Sequence, residues 1–567
     1  MAQGYWARLQ RDRISRRRLL QGTALGAAGA AGAWALAACG VGGEEGGATP
    51  GASPTGAVET PKYGGRYLLG SAVNIDTLDP HISIAGGPGY FPRIYNVLVA
   101  QSAVKPDFFF FDLAESYEHP DDVTYIFKIR PGVKIAPNNL GIPERDMDAE
   151  DAYVSFERIK NLEQANAAVF VNDWFASHEA SENNTIYTVK TPKPYAWFLM
   201  RMSFFINTIP PRELIQNNPD RMKQVAVGGG PYFVTSYVEG QNLNLDKNPN
   251  YYRTDENNNN AKLPYIDGID VRIIPDRAAL RTAFLSKQSY QYGAENRDEA
   301  EQLLSQNSQL WQGEPQPVFT FISFTMNVTR KPWDDPRIRK AAMYAINRQQ
   351  YIDIVYKGDA KPNGLVHWPT GAYALSEEEL NQLQPYDPER SKQLIQEAGY
   401  ELPLKIKVMY PANSTIEEHN AHLPIFLEQM RAAGFEVEQD PQDFGTWLNN
   451  YTEKNYDASL ALNQVYETPE IPLDFHHSRG PAGDNIYSTG LQDPEVDKAI
   501  EDAKSITDPE ELVKAIHDVQ KLIYEKGPMF LPIVSPFSRT LYWNFVKNVP
   551  QGLGATGLLI NTTWLDL

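Results

Sequence analysis

The sequence predicts an α/β protein with more than one hydrophobic core, and three observations carry that prediction. Helical and strand periodicities alternate along the chain, several helix starts are marked by Asp-Pro, and 567 residues are too many for one core. Taken in order, Val123, Tyr125, Phe127 and Ile129 alternate with mostly polar neighbours, the pattern of a half-buried strand, and Pro131-Gly132 ends it. Asp148 then stands as an N-cap with Asp151 three residues on, and Ala152, Phe156 and Ile159 follow along one helix face. Helices start at Asp335-Pro336, Asp387-Pro388, Asp493-Pro494 and Asp508-Pro509, because aspartate accepts an orphan backbone N–H and proline's fixed φ suits the first helical position. The second of these runs to Ala398 and stops at Gly399. Leu402, Leu404, Ile406 and Val408 alternate as a strand. A helix from about Ile416 to Ala433 ends at Gly434, and Phe435 to Glu438 return to strand. No internal repeat is evident, and the polar run Asp255 to Asn260 reads as a surface loop.

The apolar fraction of 42% and charged fraction of 22% are those of an ordinary globular protein. Aromatics are rich, with 30 tyrosines, which fits either a large core or a stacking cleft. The formal charge is −19, but the first 38 residues hold six arginines against one aspartate, so the chain behind them carries −24. Such a surface repels a phosphate backbone and disfavours nucleic acid as a partner.

Those first residues have the three parts of an export signal: a basic region from Arg8 to Arg18, an Ala/Gly-rich apolar region from Leu19 to Ala38, and small residues at its end. Ser15-Arg16-Arg17-Arg18-Leu19-Leu20-Gln21 resembles a twin-arginine signal, with Leu19 and Gln21 standing where Phe and Lys are usual. Leu36-Ala37-Ala38-Cys39 matches the bacterial lipobox, which implies a diacylglycerol thioether on Cys39 and cleavage before it. The alternative is an uncleaved anchor helix, which the weak hydrophobicity of Ala and Gly disfavours. Cys39 is the one cysteine, so the body has no disulfide, thiolate metal site or cysteine nucleophile. Residues 40–62 read as a flexible tether.

Motifs in a fixed order then point to a family. They are Thr77-Leu78-Asp79-Pro80; Asp112-Leu113-Ala114-Glu115-Ser116-Tyr117 with Thr124 to Lys134; and Ala149-Glu150-Asp151 with Ser155-Phe156-Glu157-Arg158. Further on come Gly229-Gly230-Pro231-Tyr232-Phe233, Lys247 to Tyr252, Trp333 to Arg348, and Tyr386 to Tyr400. Over residues 63–545 the chain resembles the peptide/nickel-type (family 5, cluster C) extracytoplasmic solute-binding proteins of ABC transporters. The resemblance implies a two-lobed periplasmic-binding-protein fold (type II-like) with an extra domain, in which hinge closure traps ligand between the lobes. The expected division is 1–38 signal peptide and 39–62 lipidated N-terminus and linker. Lobe I is 63–98 with 226–312 and 532–567, the extra domain is 99–225, and lobe II is 313–531.

The resemblance also implies a ligand anchor. Peptide-binding members pair an aspartate with the peptide's α-ammonium, and Glu467 in Gln464-Val465-Tyr466-Glu467-Thr468-Pro469 takes that position, one methylene longer and without the family's preceding tryptophan. A solvated loop acid is the alternative. Tyr466, Asn463 and Asn485 are nearby candidates for stacking and hydrogen bonding; Tyr95 and Trp197 are further candidates, with core packing as the competing role. His476-His477 and the i, i+3 pair His419/His422 are weak evidence for a metal site, structural or surface roles being favoured, and no cofactor is expected. The resemblance leaves a nickel chelate open as a ligand, since nickel-binding members often take the metal with its chelator. Catalytic signatures (GxSxG, Walker A, HExxH, GxGxxG) are absent; Gly228-Gly229-Gly230 is followed by Pro231 and reads as a turn. The expected protein is a monomeric, lipid-anchored binder on the outer face of the cytoplasmic membrane. It hands an oligopeptide or dipeptide to ABC permease and ATPase subunits and is not an enzyme. An oligosaccharide ligand, or a sensory or adaptor role, is the alternative.

Overall fold

The computed structural model describes residues 60–83, 89–101, 109–317, 320–412, 417–464, 468–479, 489–550 and 559–567. Cys39 and the leader lie outside them. All four Asp-Pro positions cap helices: Pro336–Ala345, Pro388–Glu397, Pro494–Lys504 and Pro509–Lys526. In each the aspartate accepts a backbone N–H from the first turn, at 2.8 to 3.0 Å. The Asp148 cap is reciprocal, its carboxylate accepting from Glu150 N while Asp151 accepts from Asp148 N, and Ala152, Phe156 and Ile159 are buried beneath the helix Ala149–Asn161.

Three sheets organise the chain. The first has the order Arg66–Ser71, Gly268–Ile273, Asn242–Lys247, Tyr232–Val238, with its first pair parallel. Tyr67, Leu243, Leu245, Ile269 and Val271 bury one face of it in a core shared with Phe284, Leu541 and Trp543. The second is antiparallel, Ala114–Asp121, Thr124–Ile129, Ile186–Lys190, Ser177–Ser181. Tyr125, Phe127 and Ile129 point inward as the alternation requires, but the strand starts at Thr124. Val123 is held in a turn, its N–H donating to Asp121 Oδ1 at 3.0 Å.

The third sheet has nine strands. Leu404–Pro411 and Phe435–Gln442 pair in parallel across the helix Glu417–Ala432, a βαβ unit as the sequence rhythm suggests. Thr320–Met326 and Ala458–Gln464 lie beside them. The fourteen-residue strand Phe530–Trp543 joins two regions. Its first half pairs with Thr320–Met326, its second half with Gln291–Ala294 and Leu310–Gln312, and Gln316-Pro317 pairs with Ser538 and Phe537 between them. No described helix is long and apolar enough to cross a membrane.

Two local readings change. Asp255 to Asn260 is the tip of a small hairpin, Thr254–Asp255 against Ala261–Lys262, and Asp255 is buried, accepting from Tyr265 Oη at 2.8 Å. The Gly228–Gly230 turn has a more specific cause. A Cβ at Gly228 would lie 2.2 Å from Ile94 O, and one at Gly230 2.7 Å from the same atom, so the two backbones touch where side chains cannot fit.

Candidate functional site

The strand Ala458–Gln464 lies inside the nine-stranded sheet and runs towards residues 465–467. Beyond them Thr468 is buried, and the short helix Glu470–Asp474 begins after Pro469. Packed against that helix are Pro494–Lys504 and an arm from the far end of the second sheet, Thr191-Pro192-Lys193-Pro194-Tyr195-Ala196-Trp197, which leads into the helix Phe198–Met202. The two prolines fix φ on either side of Lys193 and stiffen the arm.

Glu470 is the centre of this contact. Its Oε1 accepts from Tyr195 Oη at 2.5 Å and lies 3.6 Å from Arg201 Nε. Burial pushes the Glu470 carboxyl up; Arg201 and Lys504 oppose that push and Asp474 adds to it. Lys504, itself buried, places Nζ 2.9 Å from Asp474 Oδ1 and 3.1 Å from Glu501 Oε1. Burial alone would lower the Lys504 ammonium, but Asp474, Glu470 and Glu501 together hold it above its ordinary value. Burial would likewise raise Glu501, and Lys504 and Lys193 overcome it to hold the carboxyl at about 2. Tyr195 is stacked on Trp174, with ring centroids 3.7 Å apart and planes 9° apart. Three buried polar atoms here, Thr468 Oγ1, Glu470 Oε2 and Trp197 Nε1, have no hydrogen-bond partner among the described residues.

The expected ligand residues fall unevenly on this frame. Glu467, Tyr466 and Asn485, like Cys39, lie outside the described residues. Asn463 is the last but one residue of its strand, opposite Phe321. Tyr95 is 1% exposed, packs edge-on to Phe91, and its hydroxyl donates to Leu78 O at 3.1 Å, which is the placement of a packing residue. Trp197 is 2% exposed and stands edge-on to Tyr373 at 4.9 Å, at the junction between the arm and the segment Trp368–Tyr373. His476 and His477 are buried separately: His476 Nδ1 lies 3.3 Å from Pro472 O, while His477 Nδ1 accepts from Arg479 N and faces Asp497 and Glu501. His422 packs between Tyr351 and Tyr356. Among the described residues no group of three or more His, Cys, Asp or Glu side chains could hold a metal.

Residues 111–482 match the model of the bacterial extracellular solute-binding proteins, family 5. The chain is a family 5 solute-binding protein. This family 5 protein is 25% identical over 449 residues to the glutathione-binding protein GsiB of Salmonella paratyphi A, covering 74% of this chain and 80% of the relative. It is 24% identical over 445 residues to di/tripeptide-binding protein 2 of Pseudomonas aeruginosa, covering 75% and 80%. Among solved structures it resembles the periplasmic binding protein DppA of Helicobacter pylori in complex with the peptide STSA. The TM-score is 0.73 at 19% identity, covering 89% of this chain and 99% of that one. The fold is therefore the two-lobed family 5 fold, extracytoplasmic in its family, and the relatives are solute-binding proteins rather than enzymes.

Sequence reasoning missed Tyr195, Arg201, Glu470, Asp474 and Lys504. The Pro192-Lys193-Pro194 arm was a visible signal, since two prolines flanking a lysine mark a rigid extended segment. Nothing local marked Lys504: Glu501 and Lys504 at i, i+3 look like a solvated helix pair, and only the tertiary packing buries the lysine.

Proposed function

We propose that this protein is the lipid-anchored solute-binding component of an ABC importer, capturing a short peptide between its two lobes and presenting it to the permease. The observation that carries the reading is the meeting of two walls, joined by Tyr195 and by Glu470, the latter three residues along the chain from Glu467. Thr468 and Glu470 come from one region, Tyr195 and Trp197 from another, and three buried polar atoms among these residues lack a partner. An unpaired buried donor or acceptor costs about 1–3 kcal/mol, so a solute that supplies its partner recovers that amount only when the walls are together. The names of the two relatives, glutathione-binding and di/tripeptide-binding, favour a peptide of two or three residues. Glu467 is then the anchor for its α-ammonium, and the division into lobe I, extra domain and lobe II is the frame in which closure occurs. Cys39 carries the acyl anchor, and a diacylglycerol with an amide-linked chain holds the protein stably at the membrane.

Thermal-shift and calorimetric titration with dipeptides, tripeptides, glutathione and oligosaccharides tests the ligand class. Peptides should raise the melting temperature by mass action. A response to a sugar with none to any peptide refutes the assignment. Glu467→Gln should weaken free-amino peptides and leave N-acetylated ones unchanged; equal losses refute the anchor. Cys39→Ala should release the protein from membranes, and continued membrane association refutes the lipid anchor.

A further inference from the structure

Two joints hold the second sheet and its helices, and their chemistry differs. On one side the buried Asp112 carboxylate accepts from Asn96 Nδ2, from Val97 N at 3.0 Å and from Tyr252 Oη at 2.7 Å. Arg158 forms two hydrogen bonds with Asp79, and Gly228 and Gly230 lie against the backbone of Ile94. These contacts are buried and backbone-rich, so residues 66–83 and 89–98, the second sheet and the first sheet form one packed unit.

On the other side the same unit meets the nine-stranded region through the arm and, just beyond it, Arg201, which lies 3.6 Å from Glu470. Lys193 Nζ lies 2.6 Å from Glu501 Oε2, Tyr195 Oη donates to Glu470, Ala196 N donates to Lys504 O at 2.8 Å, and Trp197 meets Tyr373 edge-on. The strand Phe530–Trp543 runs between the core of the first sheet and this region, and Gln316-Pro317 pairs with Phe537 and Ser538 midway along it. A rotation about that pair would part the arm from Glu470, Glu501, Lys504 and Tyr373 while leaving its stacking on Trp174 and the Asp112 joint intact.

We infer that Lys193 and Tyr195 of the arm form a latch, a pair of affinity-determining residues that stabilise the closed form without recognising the solute. The inference rests on closure around a solute as proposed above. Tyr195 has both of its binding features occupied, its ring by Trp174 and its hydroxyl by Glu470, and Lys193 is engaged by Glu501 at the half-exposed rim. Tyr195 has no donor left to read a ligand, and the Lys193 charge is spent on Glu501. The latch therefore scales the apparent affinity for all solutes together, since apparent Kd is the intrinsic Kd divided by the competent fraction.

The test uses the full chain with Tyr195→Phe, which removes one hydroxyl, and Lys193→Met, which removes a half-exposed charge and leaves the core untouched. Titration with Ala-Ala, a tripeptide and glutathione should show Kd rising roughly tenfold for Tyr195→Phe and about twofold for Lys193→Met, by the same factor for each probe that binds. Small-angle scattering of the ligand-free chain should show a larger radius of gyration in the variants. A loss confined to one probe overturns the latch, because it makes the arm part of the recognition site. An unchanged radius of gyration with no loss of affinity also overturns it. If the unaltered chain binds none of the three probes, the short-peptide reading has failed, and the radius of gyration alone decides the latch.

Discussion

Replacing Asp79 with Ala should be among the most damaging single changes in the body of this protein. Asp79 is 2% exposed, and its carboxylate accepts from Arg158 Nη1 at 3.1 Å, from Arg158 Nη2 at 2.5 Å and from His81 N at 3.1 Å. Arg158 Nη1 also lies 2.6 Å from His81 Nδ1, and His81 Nε2 lies 3.0 Å from Thr208 O. Burial, reinforced by the Arg158 charge, holds the His81 imidazole down at about 4, so it stays neutral and supplies no negative charge in place of the lost carboxylate. Alanine therefore strands a guanidinium that is only 14% exposed in its side chain, and breaking a buried pair from one side costs about 3–5 kcal/mol. With an unfolding entropy of about 2.1 cal/mol/K per residue over the 506 residues from Lys62 to Leu567, 4 kcal/mol corresponds to a fall in Tm of about 4 °C. Differential scanning calorimetry at pH 7.5 reads this directly. Asp79→Leu combined with Arg158→Met removes both charges and should recover at least half of the loss. A fall below 1 °C for Asp79→Ala, or a double variant no better than the single, refutes the argument that the stranded charge sets the cost.

Acid should weaken the fold through histidines buried in their neutral form. Burial holds His367 at about 3 and His476 at about 4, against 6.5 in an unfolded chain. Their stabilisation is complete above pH 6.5 and drains as pH falls towards 4, by about 1.4 kcal/mol per pH unit for each. Tm between pH 6.5 and 4.5 should fall less steeply in His476→Gln than in the unaltered chain, and an equal slope refutes the assignment. Gly230→Ala should lower Tm by about 3 °C, because its Cβ would lie 2.7 Å from Ile94 O with no flexible side chain to yield; a neutral result refutes the close approach. Asp508→Ala should lower stability by about 1 kcal/mol, since the carboxylate caps both Glu510 N and Glu511 N, and Asp508→Ser should recover most of it by calorimetry.

What the sequence made legible was governed by how local the cause was. The four Asp-Pro caps, the Asp148 capping box and the alternation of Tyr125, Phe127 and Ile129 each need only a few neighbouring residues, and all are present in the fold. The parallel pairing of Leu404–Pro411 with Phe435–Gln442 was readable because one helix separates them. The strand Phe530–Trp543 was not, since its partners lie more than 200 residues away at Gln291–Ala294 and Thr320–Met326. The site follows the same rule. Asn463 could be placed near the anchor from its neighbours, whereas Glu470 acquires its meaning from Tyr195, 275 residues away. Asp255 shows the converse error, because a polar run looks solvated although Tyr265, ten residues on, folds back against it.

Under the latch proposal, the two joints differ in what opening costs them. Separating the Asp112 joint would expose a carboxylate already supplied with donors from Asn96, Val97 and Tyr252, and would pull the glycine backbones at 228 and 230 from Ile94. Water offers those groups no better partners than they have, and the apolar core around Tyr95 and Phe91 would be wetted as well. The arm is different. Lys193 and Glu501 are already 43% and 28% exposed in their side chains, so their pairing is worth at most about 1 kcal/mol. Glu470 gains on opening, because burial is what pushes its carboxyl up and solvent would relieve it. One joint thus loses on every term when it opens, while the other loses two hydrogen bonds, a weak ion pair and an aromatic contact and regains the hydration of a carboxylate. That near-balance is what a binding protein needs at its moving interface, since a solute can tip an equilibrium only by the free energy it supplies to one side of it.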